Sequence, residues 1–532
     1  VSVRSESAGG TVDAWAPLRH AAFRGLWIAV TVSNIGTWMH DMAAAWLMTT
    51  LTDSSLLIAL VQTAAFLPFF LLALPAGTLA DIVDRRFYLM VTALWMIAAA
   101  AALGGMTFAG LMTPAVLLLL IFLLGSAGAM MRPAMAAIVP ELVPRGDLRQ
   151  AITLNTMSLN ISRAIGPVLA GFVILSAGPG AVFLLNALSL FVLLLAIRRL
   201  QPDGMRRHGS LPVERFIEGF RAGIRFTRHA PALQAVLIKG AMFFFFAGAV
   251  WALLPVIAVR ILGGGPALYG LLVALMGTGA VLAAQFMARL NARYPRNTVT
   301  TGAGLIYAAA MFLVADTTHV LVMGAALLLA GAAWLAYFAS ISAAGQLAVP
   351  DWVRARGLSM VMLVIMGAAA AGAPLWGRIA DTAGLSEALL TAGAGLAVAM
   401  LLVSRFRLEE NDHVDLTPSL HWPVPEYAQG INPDRGPVMV TVEYVINKEN
   451  EAEFLSLAEE LQRLRRRDGA FFWEMLRRAT ASNHFVEMFM VNSWLEHLRQ
   501  HQRVTVADKS LQDRIQALHA GPAAPEIHHY IA

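Results

Sequence analysis

The sequence predicts an all-α membrane protein with 12 transmembrane helices in two six-helix bundles (a parallel repeat), plus a small α+β ferredoxin-like domain at the C-terminal end. Three observations carry this reading. The 532 residues are 58% hydrophobic and only 14% charged, with a mean hydropathy of +0.64, whereas soluble domains carry roughly 25% charged residues. Between 26 and 404 the apolar residues gather into runs long enough to cross a bilayer, about 20 residues each, while 405–532 reads like a soluble protein. Arginines, finally, fall in alternate loops between those runs.

The elements follow in order. Residues 1–24 form an N-terminal segment without the apolar stretch and cleavage site of a signal peptide, so the first span is expected to direct the chain to the membrane. Apolar runs at 25–49, 54–79, 87–109, 114–138, 150–176 and 180–198 make the first bundle, 25–199. A central loop, 200–232, holds the stretch Val213–Phe226, where apolar and basic residues alternate at helical spacing, as in a helix lying on a membrane surface. Runs at 233–260, 267–289, 298–316, 319–347, 357–379 and 385–404 make the second bundle, 233–405. A proline-rich linker, 406–437, then leads to the domain 438–532.

Orientation follows from the arginines. Arg85, Arg86, Arg145, Arg149, eight arginines between Arg198 and Arg228, Arg289, Arg293, Arg296, Arg354 and Arg356 lie in one set of loops, and only Arg260 marks the other set. The positive-inside rule places both termini and the central loop in the cytoplasm. A net charge of +5 spread in this way does not describe a nucleic-acid binder, and the absence of cysteine excludes disulfides, thiolate catalysis and iron–sulfur clusters. No phosphate-binding G-x-x-x-x-G-K-[ST] loop occurs, which disfavours transport driven by ATP.

The two halves echo each other. Ile138-Val139-Pro140-Glu141-Leu142-Val143 leaves the fourth span and Ala348-Val349-Pro350-Asp351-Trp352-Val353 the tenth, and the following spans carry Gly166 and Gly171, then Gly372 and Gly377. A parallel repeat of two bundles is one architecture for alternating access to a site at mid-membrane. The run Gly77-Thr78-Leu79-Ala80-Asp81-Ile82-Val83-Asp84-Arg85-Arg86 closes the second span. A carboxylate beside two arginines can bind a neighbouring helix terminus, and Gly77 allows close helix approach; the alternative is a plain positive-inside turn.

With Gly77, Leu79, Asp81, Arg85 and Arg86, this run resembles the signature loop G-x-L-x-D-x-x-G-R-R/K of the major facilitator superfamily, although Ile82 and Asp84 depart from it. Ser33–Met39, Ile138–Arg145 and Ser162–Gly171 resemble its bacterial exporter branch, which includes the enterobactin exporters and transmembrane secretion effectors. The last run keeps Gly166, Pro167 and Gly171 of an antiporter motif, with Ala170 and Ser162 in place of two glycines. The resemblance, over residues 20–405, implies a secondary transporter that is not an enzyme. It also implies a conformational latch at Gly77, Asp81, Arg85 and Arg86, and a moving helix at Gly166, Pro167 and Gly171.

Charges inside spans are costly, by about 2.5–3.5 kcal/mol on insertion scales, and mark functional candidates. Asp41 in span one and Arg163 in span five are expected within reach of each other, as a proton or substrate-charge site, as a structural pair, or with Asp41 at the outer mouth. Asn34 and Gln62 are the polar candidates beside them. Lys239 and Arg132 are expected to snorkel to the cytoplasmic face, and Arg378 and Asp381 to form an interfacial pair. Trp38, Trp46, Phe243 to Phe246, Trp251, Trp334 and Tyr337 suit an apolar or aromatic cargo, or face lipid.

In the C-terminal domain, strand composition at Val438–Ile446, Phe471–Arg477, Phe485–Val491 and Glu526–Ile531 alternates with helical periods at Lys448–Arg467 and Trp494–His519. This βαββαβ order resembles the dimeric module of antibiotic-biosynthesis monooxygenases and implies self-association. His497, His501, His528 and His529 lie on different elements with no acidic ligand at metal-site spacing, so neither a metal nor a cofactor is expected. The whole reads as a proton-coupled exporter of a small amphipathic molecule (a drug, secondary metabolite or siderophore), with cargo, protons and the bilayer as partners. The alternatives are an importer or lipid flippase of the same fold, and a membrane-tethered enzyme acting through 438–532.

Overall fold

The computed structural model describes residues 15–200, 216–408, 415, 417–419, 421–422, 432 and 434–532, with backbone alone at 73–74, 77–78, 80–82, 137, 145, 149, 216–222, 351 and 355. The first bundle comprises α1 (Ala21–Leu51), α2 (Ser55–Ile82), α3 (Arg85–Phe108), α4 (Pro114–Leu142) and α5 (Leu148–Arg199). Their starts are written in the sequence. Ser54, Asp84 and Thr113 cap α2, α3 and α4 by accepting from Leu57 N, Phe87 N and Val116 N, which satisfies amides that no helix can satisfy internally. Asp84 is the residue that departs from the family's glycine, and capping α3 is what it does there.

Helix α5 is 52 residues long, about 78 Å at 1.5 Å per residue, more than twice a hydrocarbon core. It turns back at Gly178, whose φ of 78° and ψ of 169° are non-helical and open to glycine. Packing against α1 shows the reversal. Along the first arm, Trp27 meets Leu154 and Thr31 meets Ser158, both chains running the same way. Along the second, Gly36 faces Ser189 and His40 faces Phe183, in the opposite sense. The second arm lines α3 to its end, where Arg86 donates to the Arg198 carbonyl.

The second bundle comprises α7 (Pro231–Val256), continued by a π-helical turn over Ile257–Ile261, then α8 (Pro266–Arg293), α9 (Arg296–Asp316), α10 (Val320–Leu347), α11 (Arg354–Thr382) and α12 (Leu385–Val403). Helix α7 is its axis: Phe243, Phe244, Ala247, Val250 and Leu253 are all buried against the surrounding helices. Among the described residues, ten helices are long and apolar enough to cross a membrane, with the folded-back α5 counted as one and α1 outside the ten.

The bundles meet along two seams. On the first, Gly377 of α11 lies so close to α2 that a Cβ would sit 2.8 Å from Leu56 Cα, and Thr63 Oγ1 donates to the Ala370 carbonyl at 2.9 Å. On the second, a Cβ on Gly171 of α5 would sit 3.2 Å from the Pro266 carbonyl, and one on Gly270 of α8 would sit 2.6 Å from the Pro167 carbonyl. Both seams run from the arginine-poor end toward mid-depth.

Before α7 lies α6 (Phe216–His229), the amphipathic helix of the central loop; residues 201–215 of that loop fall outside the described residues. The C-terminal unit follows as β1 (Val438–Val445), α13 (Glu451–Asp468), β2 (Phe472–Arg477), β3 (His484–Val491), α14 (Trp494–Arg503), α15 (Val506–Ala517) and β4 (Glu526–Ile531). Its sheet is antiparallel throughout, in the order β2-β3-β1-β4. The single helix expected over Trp494–His519 is two, because Thr505 and Asp508 form a capping box that starts a new helix. The unit docks on the arginine-rich end: Arg225 of α6 binds Glu496 at 2.9 Å, Arg503 lies over the Trp352 ring before α11, and Arg467 over Phe226.

Candidate functional site

Asp41 sits ten residues before the end of α1 and Arg132 ten residues before the end of α4, each about 15 Å from its end. The two helix ends lie at opposite membrane faces, so both side chains lie near mid-depth. Both are exposed to solvent although helices surround them. The cation whose field acts on Asp41 is Arg132, and Tyr269 of α8 also lies within the field of Asp41. Asp41 of α1 thus lies within electrostatic range of Arg132 of α4 and of the buried Tyr269 of α8. Arg132 is anchored by the Phe69 ring of α2, 4.7 Å from its guanidinium carbon.

Arg163 takes another place. Its guanidinium caps Trp38 at 5.0 Å, and its carbonyl lies 3.3 Å from where a Cβ on Gly277 of α8 would be. The charge that acts on Asp41 is therefore that of Arg132, and not that of the expected Arg163. Arg132 does not simply snorkel; the signal missed was its depth, half a hydrocarbon core from the helix end. Lys239 is corrected too, being 1% exposed and donating to Asn297 Oδ1 at 2.7 Å.

Trp38 begins a chain of rings across the seam, to Trp251 of α7 at 6.3 Å and on to Trp334 of α10 at 5.8 Å. The Trp251 indole N–H and Gln62 Oε1 are buried without a partner. A buried polar atom left unpaired costs about 1–3 kcal/mol, so both atoms have unmet hydrogen-bonding capacity. Asn34 is half-buried and donates to Ser158 Oγ at 3.4 Å. Phe243 and Tyr337 stack at 3.8 Å in the buried core and line no open space.

At the arginine-rich end, Arg85 pairs with Glu141 and Arg86 with the Arg198 carbonyl, both within the first bundle. At Gly77 and Asp81 only the backbone is described, as part of α2. The small residues after Arg163 serve close approach: Gly166 admits Trp38 of α1, while Gly171 and the Pro167 carbonyl form the seam with α8. Arg378 and Asp381 are not an interfacial pair, since Asp381 binds the start of α2.

In the C-terminal unit, His497 and His501 approach to 3.2 Å between Nε2 atoms, with the His529 ring 4.8 Å from that of His497. Burial pushes His497 down to about 3 and His501 down to about 4, aided by their imidazole neighbours. Among the described residues, no group of three or more histidines and carboxylates is arranged to hold a metal.

A family model described as transmembrane secretion effector matches residues 12–532. The chain belongs to the transmembrane secretion effector family. Its members are multi-pass transporters of the major facilitator superfamily. Curated relatives include a staphyloferrin A transporter of Staphylococcus aureus (strain NCTC 8325 / PS 47), 23% identical over 47% of this chain and 62% of that protein. Macrolide efflux protein A of Streptococcus pyogenes is 26% identical over 46% of this chain and 60% of its own length. An enterobactin exporter of Shigella boydii serotype 4 is 27% identical over 45% and 56%. The chain thus spans about three-fifths of the curated relatives it matches. Among solved structures, an inward-facing bacterial homolog of the human lysosomal transporter Spinster aligns with a TM-score of 0.59, 16% identity and coverage of 75% of this chain and 98% of that one. A POT family transporter aligns with a TM-score of 0.60, 13% identity and coverage of 73% and 96%. At these identities the two structures establish the fold alone.

Proposed function

We propose that this protein is a proton-coupled secondary exporter of a small amphipathic molecule, a drug, secondary metabolite or siderophore. The observation that carries the reading is an exposed Asp41 within a membrane span, in the field of Arg132 of α4 and near Tyr269 of α8 in the other bundle. A carboxylate there serves as proton site and as counter-charge, and charges in a membrane interior mark pathways. The ring chain Trp38–Trp251–Trp334 supplies an apolar wall with one free N–H donor, which suits an apolar or aromatic body carrying polar groups. Relatives named for staphyloferrin A, macrolides and enterobactin give the cargo panel.

In this reading α5 is two spans and α1 another, which brings ten to twelve: bundles at 25–199 and 233–405 around one site. The arginine-rich face is cytoplasmic and the chain lies in the bacterial inner membrane. The latch at Gly77, Asp81, Arg85 and Arg86 holds one of two bundle arrangements, and Gly166, Pro167 and Gly171 form the sliding surface of the other seam. The C-terminal unit, ferredoxin-like by strand order, joins a second copy through its open sheet face. Phe472, Met490, Met439 and Tyr530 lie in register across that face.

Thermal unfolding of the purified protein against staphyloferrin A, a macrolide and enterobactin tests the cargo. At least one compound is expected to raise the midpoint of the wild type and to do so less in Trp251→Phe, which lacks the N–H. A panel without any shift counts against the cargo class. Oxygen-dependent turnover of quinol-like compounds would instead favour an enzymatic tail.

A further inference from the structure

The start of α2 is held from the other bundle. Ser54 caps α2 through Leu57 N at 3.4 Å, and the preceding amides of Ser55 and Leu56 need partners of their own. Both are supplied by Asp381, at the end of α11. Its Oδ1 accepts from Ser55 N at 2.6 Å, its Oδ2 from Leu56 N at 3.1 Å, and the Ser54 hydroxyl donates to Oδ2 at 2.7 Å. A carboxylate at a helix N-terminus also meets the positive end of the helix dipole. Arg260, on the π-helical turn after α7, binds the same corner, donating to Ser55 Oγ at 3.3 Å and to the Asp53 carbonyl.

The approach depends on Gly377, one turn before Asp381. A Cβ there would stand 2.8 Å from Leu56 Cα and 2.9 Å from the Ser55 carbonyl. The sequence around it, Gly377-Arg378-Ile379-Ala380-Asp381, has the spacing of Gly77-Thr78-Leu79-Ala80-Asp81 at the end of α2. The two runs end helices that point to opposite membrane faces. One glycine–aspartate pair thus closes α2 at the arginine-rich end, and its twin closes α11 at the arginine-poor end.

We propose that Asp381, admitted by Gly377 and seconded by Arg260, is the outer latch of the transport cycle, a positioning residue that holds the arginine-poor face shut. The bonds made by Asp381 and Arg260 cross the seam between bundles, so they are lost when that face opens, and interactions made in one state alone set the balance between states. The proposal rests on the alternating-access reading above.

The chain has no cysteine, so spin labels on introduced cysteines report without background. Leu111 between α3 and α4 and Leu321 on α10 are exposed at the arginine-poor face of different bundles. Distances between labels at Leu111→Cys and Leu321→Cys are measured in full-length protein in nanodiscs. Asp381→Ala should raise the ratio of the long-distance, open population to the closed one about tenfold or more, because even one hydrogen bond to a charged group is worth about that factor. Ser54→Ala should raise it less. Thermal unfolding separates latch from fold: an unchanged distance distribution in a normally melting Asp381→Ala protein overturns the proposal. If Asp381→Ala fails to fold, Ser54→Ala and Arg260→Ala decide it on the same criterion. No cargo enters this measurement. A protein that opens at the outer face yet moves no compound keeps the latch and loses the exporter reading.

Discussion

The membrane unit and the C-terminal unit both bury charge, and they partner it differently. In the C-terminal unit Glu487 is wholly buried, yet it accepts from Arg465 Nε at 2.8 Å, Arg465 Nη2 at 3.2 Å and Trp473 Nε1 at 3.0 Å. Arg467 is held by both Asp468 and Asp508. Each charge there meets its opposite in fixed geometry, a network that specifies one structure. In the membrane unit Lys239 has the neutral Asn297, Arg163 has the face of Trp38, and Asp41 has only the field of Arg132. Partners of that kind can be exchanged for water, a proton or a cargo group. The contrast is between charges fixed by an opposite charge and charges left with neutral, aromatic or distant partners.

The comparison breaks most visibly at Glu487. Glu487→Ala leaves Arg465 buried without its carboxylate and should destabilise the C-terminal unit by about 3–5 kcal/mol. Hydrogen exchange of the β3 amides in the full-length protein measures the loss, with the α7 amides unchanged. A smaller effect follows from the histidines. The neutral imidazoles of His497 and His501 are held down to about 3 and about 4. At pH between those values and the ordinary 6.5, the unfolded state therefore binds more protons than the folded one. Stability of the C-terminal unit is full above pH 6.5 and falls on acidification, by at most about 1.4 kcal/mol per pH unit for each histidine. The same exchange measurement at pH 7 and 5 shows it, and His497→Leu should flatten the slope by about one proton.

In the membrane unit, Asn297→Leu strands the Lys239 ammonium and should cost about 2 kcal/mol, read as a lower unfolding midpoint of the second bundle. Lys239→Met made together with it should restore most of that loss. If it does not, Lys239 has a role beyond packing. Smallest is the docking contact: Glu496→Gln weakens the pairing with Arg225 and Arg503 by about 1 kcal/mol. It should speed proteolysis in the linker 406–437 while leaving both units folded.

Much of the fold was legible in the sequence, because hydrocarbon leaves few choices. Apolar runs of spanning length, capping residues at Ser54 and Thr113, and the strand periods after 438 all give elements where the structure has them. The split between α14 and α15 was also readable, from the spacing of Thr505 and Asp508. The site was less legible because a membrane charge is assigned by depth and by which helix it faces, and sequence provides only the first. Depth does not single out Arg132 over Arg163, since by residue count Arg163 lies nearer the level of Asp41; the helix face each side chain turns to decides between them. No local pattern distinguishes Trp251, whose N–H is free, from Trp376, whose N–H binds the Phe245 carbonyl at 2.8 Å. The Asp381 contact joins residues 327 positions apart, and only the repeated glycine–aspartate spacing hinted at it.

The central claim is that Asp41, in the cleft between the bundles, couples cargo to protons. Its direct test is uptake of labelled enterobactin, staphyloferrin A or a macrolide into inside-out vesicles with an imposed acid-inside pH gradient, comparing wild type with Asp41→Asn. The account expects the wild type to concentrate one of these compounds and to lose this accumulation when the gradient is collapsed. Asp41→Asn should still equilibrate the compound without concentrating it. Undiminished accumulation by Asp41→Asn would contradict the account and move the proton site elsewhere.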